Sequence, residues 1–187
     1  MVNTNAESKN GSKKSWMLHK YTLSGLVIPL VLVLDQWTKF YVHTHFALYE
    51  SSSVVDGFFS LTYVRNTGAA FGVLAQADPA FRVPFFIAIP LVALAAIGWL
   101  IKKLPNYQSL TAFSLALVLS GALGNLIDRL VYGFVVDFLL FYNQSIGQFP
   151  AFNVADSAIT VGVALLMIEM IKNPDTLGSE AKSGPAA

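Results

Sequence analysis

Four stretches of this chain are apolar over the length of a bilayer, and any fold it adopts must keep them out of water. They lie at about 22–42, 83–101, 109–131 and 151–171. Each reaches the roughly 20 residues a helix needs to cross a hydrocarbon core. The second carries no charge at all, while Pro29 and Pro90 sit inside the first two. Membrane helices tolerate such prolines where neighbouring groups re-satisfy the freed carbonyl. Composition points the same way. Charged residues make up 12% of the chain, against about 25% in a typical soluble domain. The expected fold class is an all-α polytopic membrane protein of four transmembrane helices, with a small extracytoplasmic β-sheet between the first and second.

Charge placement orients the spans. Lys9, Lys13, Lys14 and Lys20 precede the first, Lys102 and Lys103 fill the turn between the second and third, and Lys172 follows the fourth. Lys and Arg near span ends mark the cytoplasmic side, so both termini are expected there. Residues 1–15 and 173–187 are polar and rich in Gly, Ser, Pro and Ala, and are expected to be disordered cytoplasmic tails around a single domain at 16–172. The first apolar run resembles a secretory signal peptide. It lacks a small-residue cleavage site and runs straight into Asp35-Gln36-Trp37-Thr38-Lys39, so it reads as a retained helix.

The longest outer segment, about 43–82, is not helical in pattern. Residues 52–56 and 58–65 are β-branched and aromatic around Asp56-Gly57, a hairpin signal, and Asn66-Thr67-Gly68 reads as a second turn. A short amphipathic piece is expected near 76–82. The aromatics Phe46, Tyr49, Phe58, Phe59 and Tyr63 are expected at the lipid headgroups.

Every polar group embedded in a span then falls at one depth, toward the outer face: Asp35 in the first, Asn125, Asp128 and Arg129 in the third, Asn153 and Asp156 in the fourth. An Asp at mid-bilayer costs about 2.5–3.5 kcal/mol on insertion scales, so such residues face the bundle interior and mark function. Asn125, Asp128 and Arg129 share a helical face, and Asn153, Asp156, Ser157 and Thr160 repeat the spacing. Ser120, Gly121, Ala122 and Gly124 let another helix approach closely. Asp137 stands alone in the apolar connection Gly133–Leu140, either capping a strand or turn or belonging to a catalytic pair. Arg129 either neutralises Asp128 or binds a lipid phosphate or peptide carbonyl, and Asp35 either pairs within the bundle or meets substrate.

Paired carboxylates can hydrolyse a peptide without metal or nucleophilic side chain. One, ionised, takes a proton from water, and the other, protonated, polarises the scissile carbonyl. Like charges held close cannot both ionise, which maintains the mixed state near neutral pH. Other chemistries fit less well. The chain has no cysteine, which removes thiolate nucleophiles, thiolate metal sites and disulfides. His19, His43 and His45 flank the first span and read as interfacial residues rather than metal ligands, and no Gly-x-Ser-x-Gly elbow or phosphate-binding loop is present. The net charge of +1 gives no field to attract nucleic acid.

Five motifs carry a family resemblance. Asp35-Gln36-Trp37-Thr38-Lys39, Asn66–Gly72, Gly121–Leu130, Val135-Val136-Asp137-Phe138 and Phe149–Ser157 resemble, in order, the boxes of the bacterial lipoprotein signal peptidases (signal peptidase II), over roughly residues 20–172. The resemblance implies an aspartic endopeptidase of the bacterial inner membrane, working without a cofactor or metal, with its site toward the extracytoplasmic face. Its substrates would be prolipoproteins bearing diacylglycerol on the future N-terminal cysteine, cut on the N-terminal side of that residue. It implies Asp137 and Asp156 as the catalytic dyad, with Asp35, Asn66, Asn125, Asp128, Arg129 and Asn153 as supporting or substrate-binding residues. Helix spacing alone favours Asp128 as the partner of Asp156; the resemblance assigns Asp137. Two rival classes are a proton-coupled transporter using the acids as a relay and a non-catalytic lipoprotein-binding factor. A monomer is expected, since nothing in the sequence demands more.

Overall fold

The computed structural model describes residues 20–68, 74, 76–143 and 147–173. The expected tail at 1–15, all but Asn173 of the expected tail at 173–187, His19 and most of the stretch after Gly68 lie outside the described residues. Four helices are long and apolar enough to cross a membrane: α1 Lys20–His45, α2 Pro79–Lys103, α3 Ser109–Tyr132 and α4 Val154–Lys172. Asn173 caps α4 through its backbone N–H on the Glu169 carbonyl.

Helix α1 shows how such a chain divides its faces. Its buried side holds Lys20, Ser24, Asp35, Lys39 and Val42. Its open side presents Leu26, Leu30, Val33, Leu34, Trp37 and Phe40, with Leu30 70% exposed. A helix in water does the reverse. In lipid, apolar side chains need no protein cover, whereas polar groups must find partners inside the bundle.

Helix α3 is the axis of the fold, packed against α1, α2 and α4. Its small residues set how near the others come. A Cβ on Gly121 would strike the carbonyl oxygen of Ala155, and one on Gly124 would lie 2.5 Å from Asp35 Oδ2. On α4, a Cβ on Gly162 would meet the Ser114 carbonyl at 2.7 Å. Gly133 closes α3 in the left-handed region (φ 79°), a conformation glycine adopts without steric cost.

The expectation of a separate short amphipathic piece near 76–82 is corrected at α2. Residues 79–82 are the first turn of that helix, because Asp78 caps it (accepting from Ala80 N at 2.7 Å) and Pro79 opens it. Helix α4 likewise begins at Val154 rather than 151, so Asn153 stands one residue outside it as the N-cap.

The all-α expectation is corrected too. Strands β1 Ser51–Val55, β2 Phe59–Asn66, β3 Val135–Asn143 and β4 Gly147–Gln148 form an antiparallel sheet in the order β1-β2-β3-β4. Half of it comes from the connection between α3 and α4, not from the segment after α1. The physical reason lies in the apolar, β-branched and aromatic run Val135–Tyr142, which adds to the edge of the expected hairpin with Asn66 opposite Val135 and Val64 opposite Asp137. Tyr63 is not at a headgroup surface; it is buried with Val42, Val136 and Phe138, the cluster that fastens the sheet to the end of α1. Phe58 and Tyr49 are exposed.

Gly121→Leu should lower the melting temperature in detergent by several degrees, since overpacking typically costs about 1–3 kcal/mol. Gly98, with open space around its Cβ position, should tolerate Ala without loss. A matched series of thermal melts checks both; equal behaviour of the two variants would contradict the α3–α4 contact.

Candidate active site

Four pieces of backbone converge at one end of the bundle: the C-terminal turns of α1 and α3, the start of β3, and the N-terminus of α4. Asp35 and Asp128 are fully buried there. Lys39 lies between them, 2.9 Å from Asp35 Oδ2 and 3.1 Å from Asp128 Oδ2, and is itself 1% exposed. Both carboxylates have further donors. Asp35 Oδ1 accepts from Ala155 N at 2.8 Å, Asp128 Oδ2 from Val136 N at 3.0 Å, and Asp128 Oδ1 from Gln36 Nε2 at 3.0 Å. Burial of three charged groups is sustainable only with this degree of pairing.

Above this cluster lie Asp137 and Asp156, joined through one residue. Asn153 donates from Nδ2 to Asp137 Oδ1 at 2.7 Å and from its backbone N to Asp156 Oδ2 at 3.2 Å. Its Oδ1 accepts from Asp156 N at 2.9 Å, completing a capping box at the start of α4. Asp137 Oδ2 accepts from Asn66 Nδ2 at 2.9 Å, and Asp156 Oδ1 from Asn125 Nδ2 at 2.7 Å. Asp137 is 2% exposed. Burial and the neighbouring Asp156 push its carboxyl from the ordinary 3.8 up to about 7, against the opposing hydrogen bonds from Asn66 and Asn153. Between those two values the folded site holds a proton that the unfolded chain does not. The stability this group contributes is therefore full at low pH and lost as pH rises toward 7.

Every sequence-nominated site residue falls in this region, though not always in its expected relation. Asp128, the partner helix spacing favoured for Asp156, has its oxygens engaged by Lys39, Gln36 and Val136 N. Arg129 makes no direct ion pair with Asp128. The guanidinium donates to the carbonyls of Gly68 (2.9 Å) and Asn125 (3.2 Å) and lies over the Phe86 ring. It thus ties the turn after β2 to α3. His43 bonds the Tyr63 hydroxyl at 2.5 Å and His45 the Tyr41 carbonyl at 2.9 Å, away from the acids. Sequence reasoning gave no role to Lys39 or Gln36. A signal was available for the lysine, which stands four residues after Asp35 on the same buried face.

A bundle of four membrane-length helices enclosing two carboxylates linked through one asparagine defines a multi-pass membrane protein with a buried acid pair. Comparisons agree. The family model described as Signal peptidase (SPase) II matches residues 27–172. A lipoprotein signal peptidase of Geobacter metallireducens is 52% identical over 157 residues, covering 84% of this chain and 95% of that protein. One of Syntrophus aciditrophicus is 51% identical over 145 residues, covering 76% and 88%. A solved structure described as a bacterial membrane enzyme, determined by the in meso method at 2.3 Å resolution, superposes with a TM-score of 0.75 at 35% identity, covering 91% of this chain and 99% of that one. The chain belongs to the signal peptidase II family of aspartic peptidases, multi-pass enzymes of the bacterial inner membrane.

Asn66 favours the ionised form of Asp137 by donating to it, so Asn66→Ala should raise the Asp137 pKa above about 7. Carboxyl-carbon NMR titration in micelles measures this, and an unchanged or lower value would show that the contact is not made in solution.

Proposed function

We propose that this enzyme removes the signal peptide from diacylglyceryl-modified prolipoproteins, cutting on the N-terminal side of the lipid-modified cysteine, with Asp137 and Asp156 as the catalytic pair. The observation that carries the assignment is Asn153, which bonds both carboxylates at once, whereas Asp128 is engaged by Lys39, Gln36 and Val136 N. A carboxyl with pKa about 7 beside a second carboxylate matches the mixed protonation state the reaction needs.

In this mechanism Asp156 takes a proton from a water molecule as its oxygen attacks the scissile carbonyl carbon. Asp137, protonated, donates a hydrogen bond to the carbonyl oxygen as the carbon becomes tetrahedral. When the C–N bond breaks, the amine nitrogen leaves with a proton from the pair, and the pair returns to sharing one. Asn66, Asn125 and Asn153 hold the two carboxylates by N–H donation, and Asp35 and Asp128 support the backbone beneath them. Arg129 fixes the turn at Gly68, beside the site, and leaves other N–H groups for peptide carbonyls.

Both termini are cytoplasmic in this reading, and the sheet and acid pair lie at the extracytoplasmic surface, where a translocated prolipoprotein arrives with its lipid still in the membrane. The lysines at the end of α2, Lys102 and Lys103, support that orientation. One chain suffices for the reaction, and no metal is required.

The direct assay incubates purified enzyme with a diacylated prolipoprotein and follows signal-peptide release. Asp137→Asn and Asp156→Asn should each slow it by about 100- to 10,000-fold, the usual contribution of general acid–base catalysis, while strong chelators leave it unchanged. No release under any condition, or full activity in Asp137→Asn, would overturn the assignment. Orientation is tested separately. Because the chain lacks cysteine, Ser53→Cys and Lys103→Cys can be labelled with an impermeant maleimide on intact spheroplasts. Only the first should react.

A further inference from the structure

A side-chain amide can sit either way round, and its orientation decides whether a neighbouring carboxylate meets an N–H donor or a repelling carbonyl oxygen. Three amides surround the acid pair. Asn66 Oδ1 accepts from Gly68 N at 3.0 Å, and Asn153 Oδ1 from Asp156 N at 2.9 Å. A backbone N–H only donates, so both amide nitrogens are turned to Asp137. For Asn125 the anchor is a charged side chain. Its Oδ1 accepts from Lys39 Nζ at 2.9 Å, with Asn153 Nδ2 at 3.2 Å, and its nitrogen is thereby turned to Asp156.

Lys39 reaches further than Asn125. Its three N–H groups meet three acceptors: Asp35, Asp128 and Asn125. Asp35 holds the backbone N–H of Ala155, the residue before Asp156. Asp128 holds the N–H of Val136, the residue before Asp137. Each supporting acid grips the chain one residue ahead of one catalytic carboxylate, and the ammonium links the two grips across α1, α3, β3 and α4.

Resting on the catalytic assignment above, we propose that Lys39 is a positioning residue of the reaction. It sets how Asp137 and Asp156 stand relative to one another, through the Asp35 and Asp128 carboxylates and the Asn125 amide. It touches neither catalytic carboxylate, and its function is to fix their geometry.

The test compares Lys39→Met, Asn125→Ala and the double variant in the cleavage assay, per folded molecule. Lys39→Met should lower kcat by about tenfold to a hundredfold, the scale of an ångström-level misplacement, with KM for the prolipoprotein little changed. The double variant should lose less than the product of the two single losses, because part of the lysine's effect passes through Asn125. A pH profile adds a second readout. Asp137 is faced by Asp156 from α4, by Lys39 from α1 and by Arg129 from α3. Removing the Lys39 charge should therefore move the basic limb of kcat upward. Should Lys39→Met fail to fold, Lys39→Met/Asp128→Asn preserves the net charge of the cluster. Against Asp128→Asn alone it should show a smaller but measurable fall in kcat, because part of the lysine's effect passes through Asp128. Normal kcat and an unmoved limb in a variant with only a lower melting temperature would leave Lys39 a stability residue and sink the proposal, as would losses that multiply in full. Those outcomes are separate from failure of the catalytic assignment, which active Asp137→Asn or Asp156→Asn enzyme would reveal.

Discussion

The site depends on the way Asn153 is shared. One residue caps α4, donates to Asp137 through its side chain and to Asp156 through its backbone, and accepts the Asp156 N–H in return. A carboxylate on a strand and another on a helix come from parts of the chain with different geometry. They become a pair because this residue donates from its side-chain amide to one carboxylate and from its backbone N–H to the other. Side-chain rotation at Asn153 would leave a buried carboxyl short of a donor, at a cost of about 1–3 kcal/mol or more. The geometry is therefore steep around its minimum.

Beneath the pair, the Asp35–Lys39–Asp128 cluster raises the question of why a protein in lipid would bury three charges. Ion pairs of this kind stabilise little relative to well-packed apolar groups, yet losing one partner costs about 3–5 kcal/mol. Their value here is placement. Each acid accepts a backbone N–H next to one member of the acid pair, a contact no apolar side chain provides. The close approach of α3 to its neighbours makes this possible. Gly124 leaves room for the Asp35 carboxylate and Gly121 for the Ala155 carbonyl, so the small-residue stripe and the acid cluster are parts of one arrangement.

Much of this was legible in the sequence, for identifiable reasons. Membrane-length apolar runs have few alternatives, so the four helices were readable to within a few residues. The Asp56-Gly57 hairpin followed from turn chemistry. The third and fourth strands escaped because an apolar connection carrying one Asp reads equally as a re-entrant loop, and only pairing with β2 decides it. That same pairing places Asp137, which explains why helix spacing alone pointed to Asp128. Lys39 escaped for another reason. Its significance lies in three contacts to residues on two helices, and only one of those, Asp35, is near it in sequence. Tyr63 read as an interfacial aromatic because composition does not reveal which face of a strand turns inward.

The central claim is that Asp137 and Asp156 act as one unit on a single water molecule. Groups that act as a unit give non-additive losses, so the most direct measurement is cleavage of a diacylated prolipoprotein by Asp137→Asn, Asp156→Asn and the double variant. The account predicts that the double variant is no slower than the slower single variant. Losses that multiply, as independent sites would give, would contradict it.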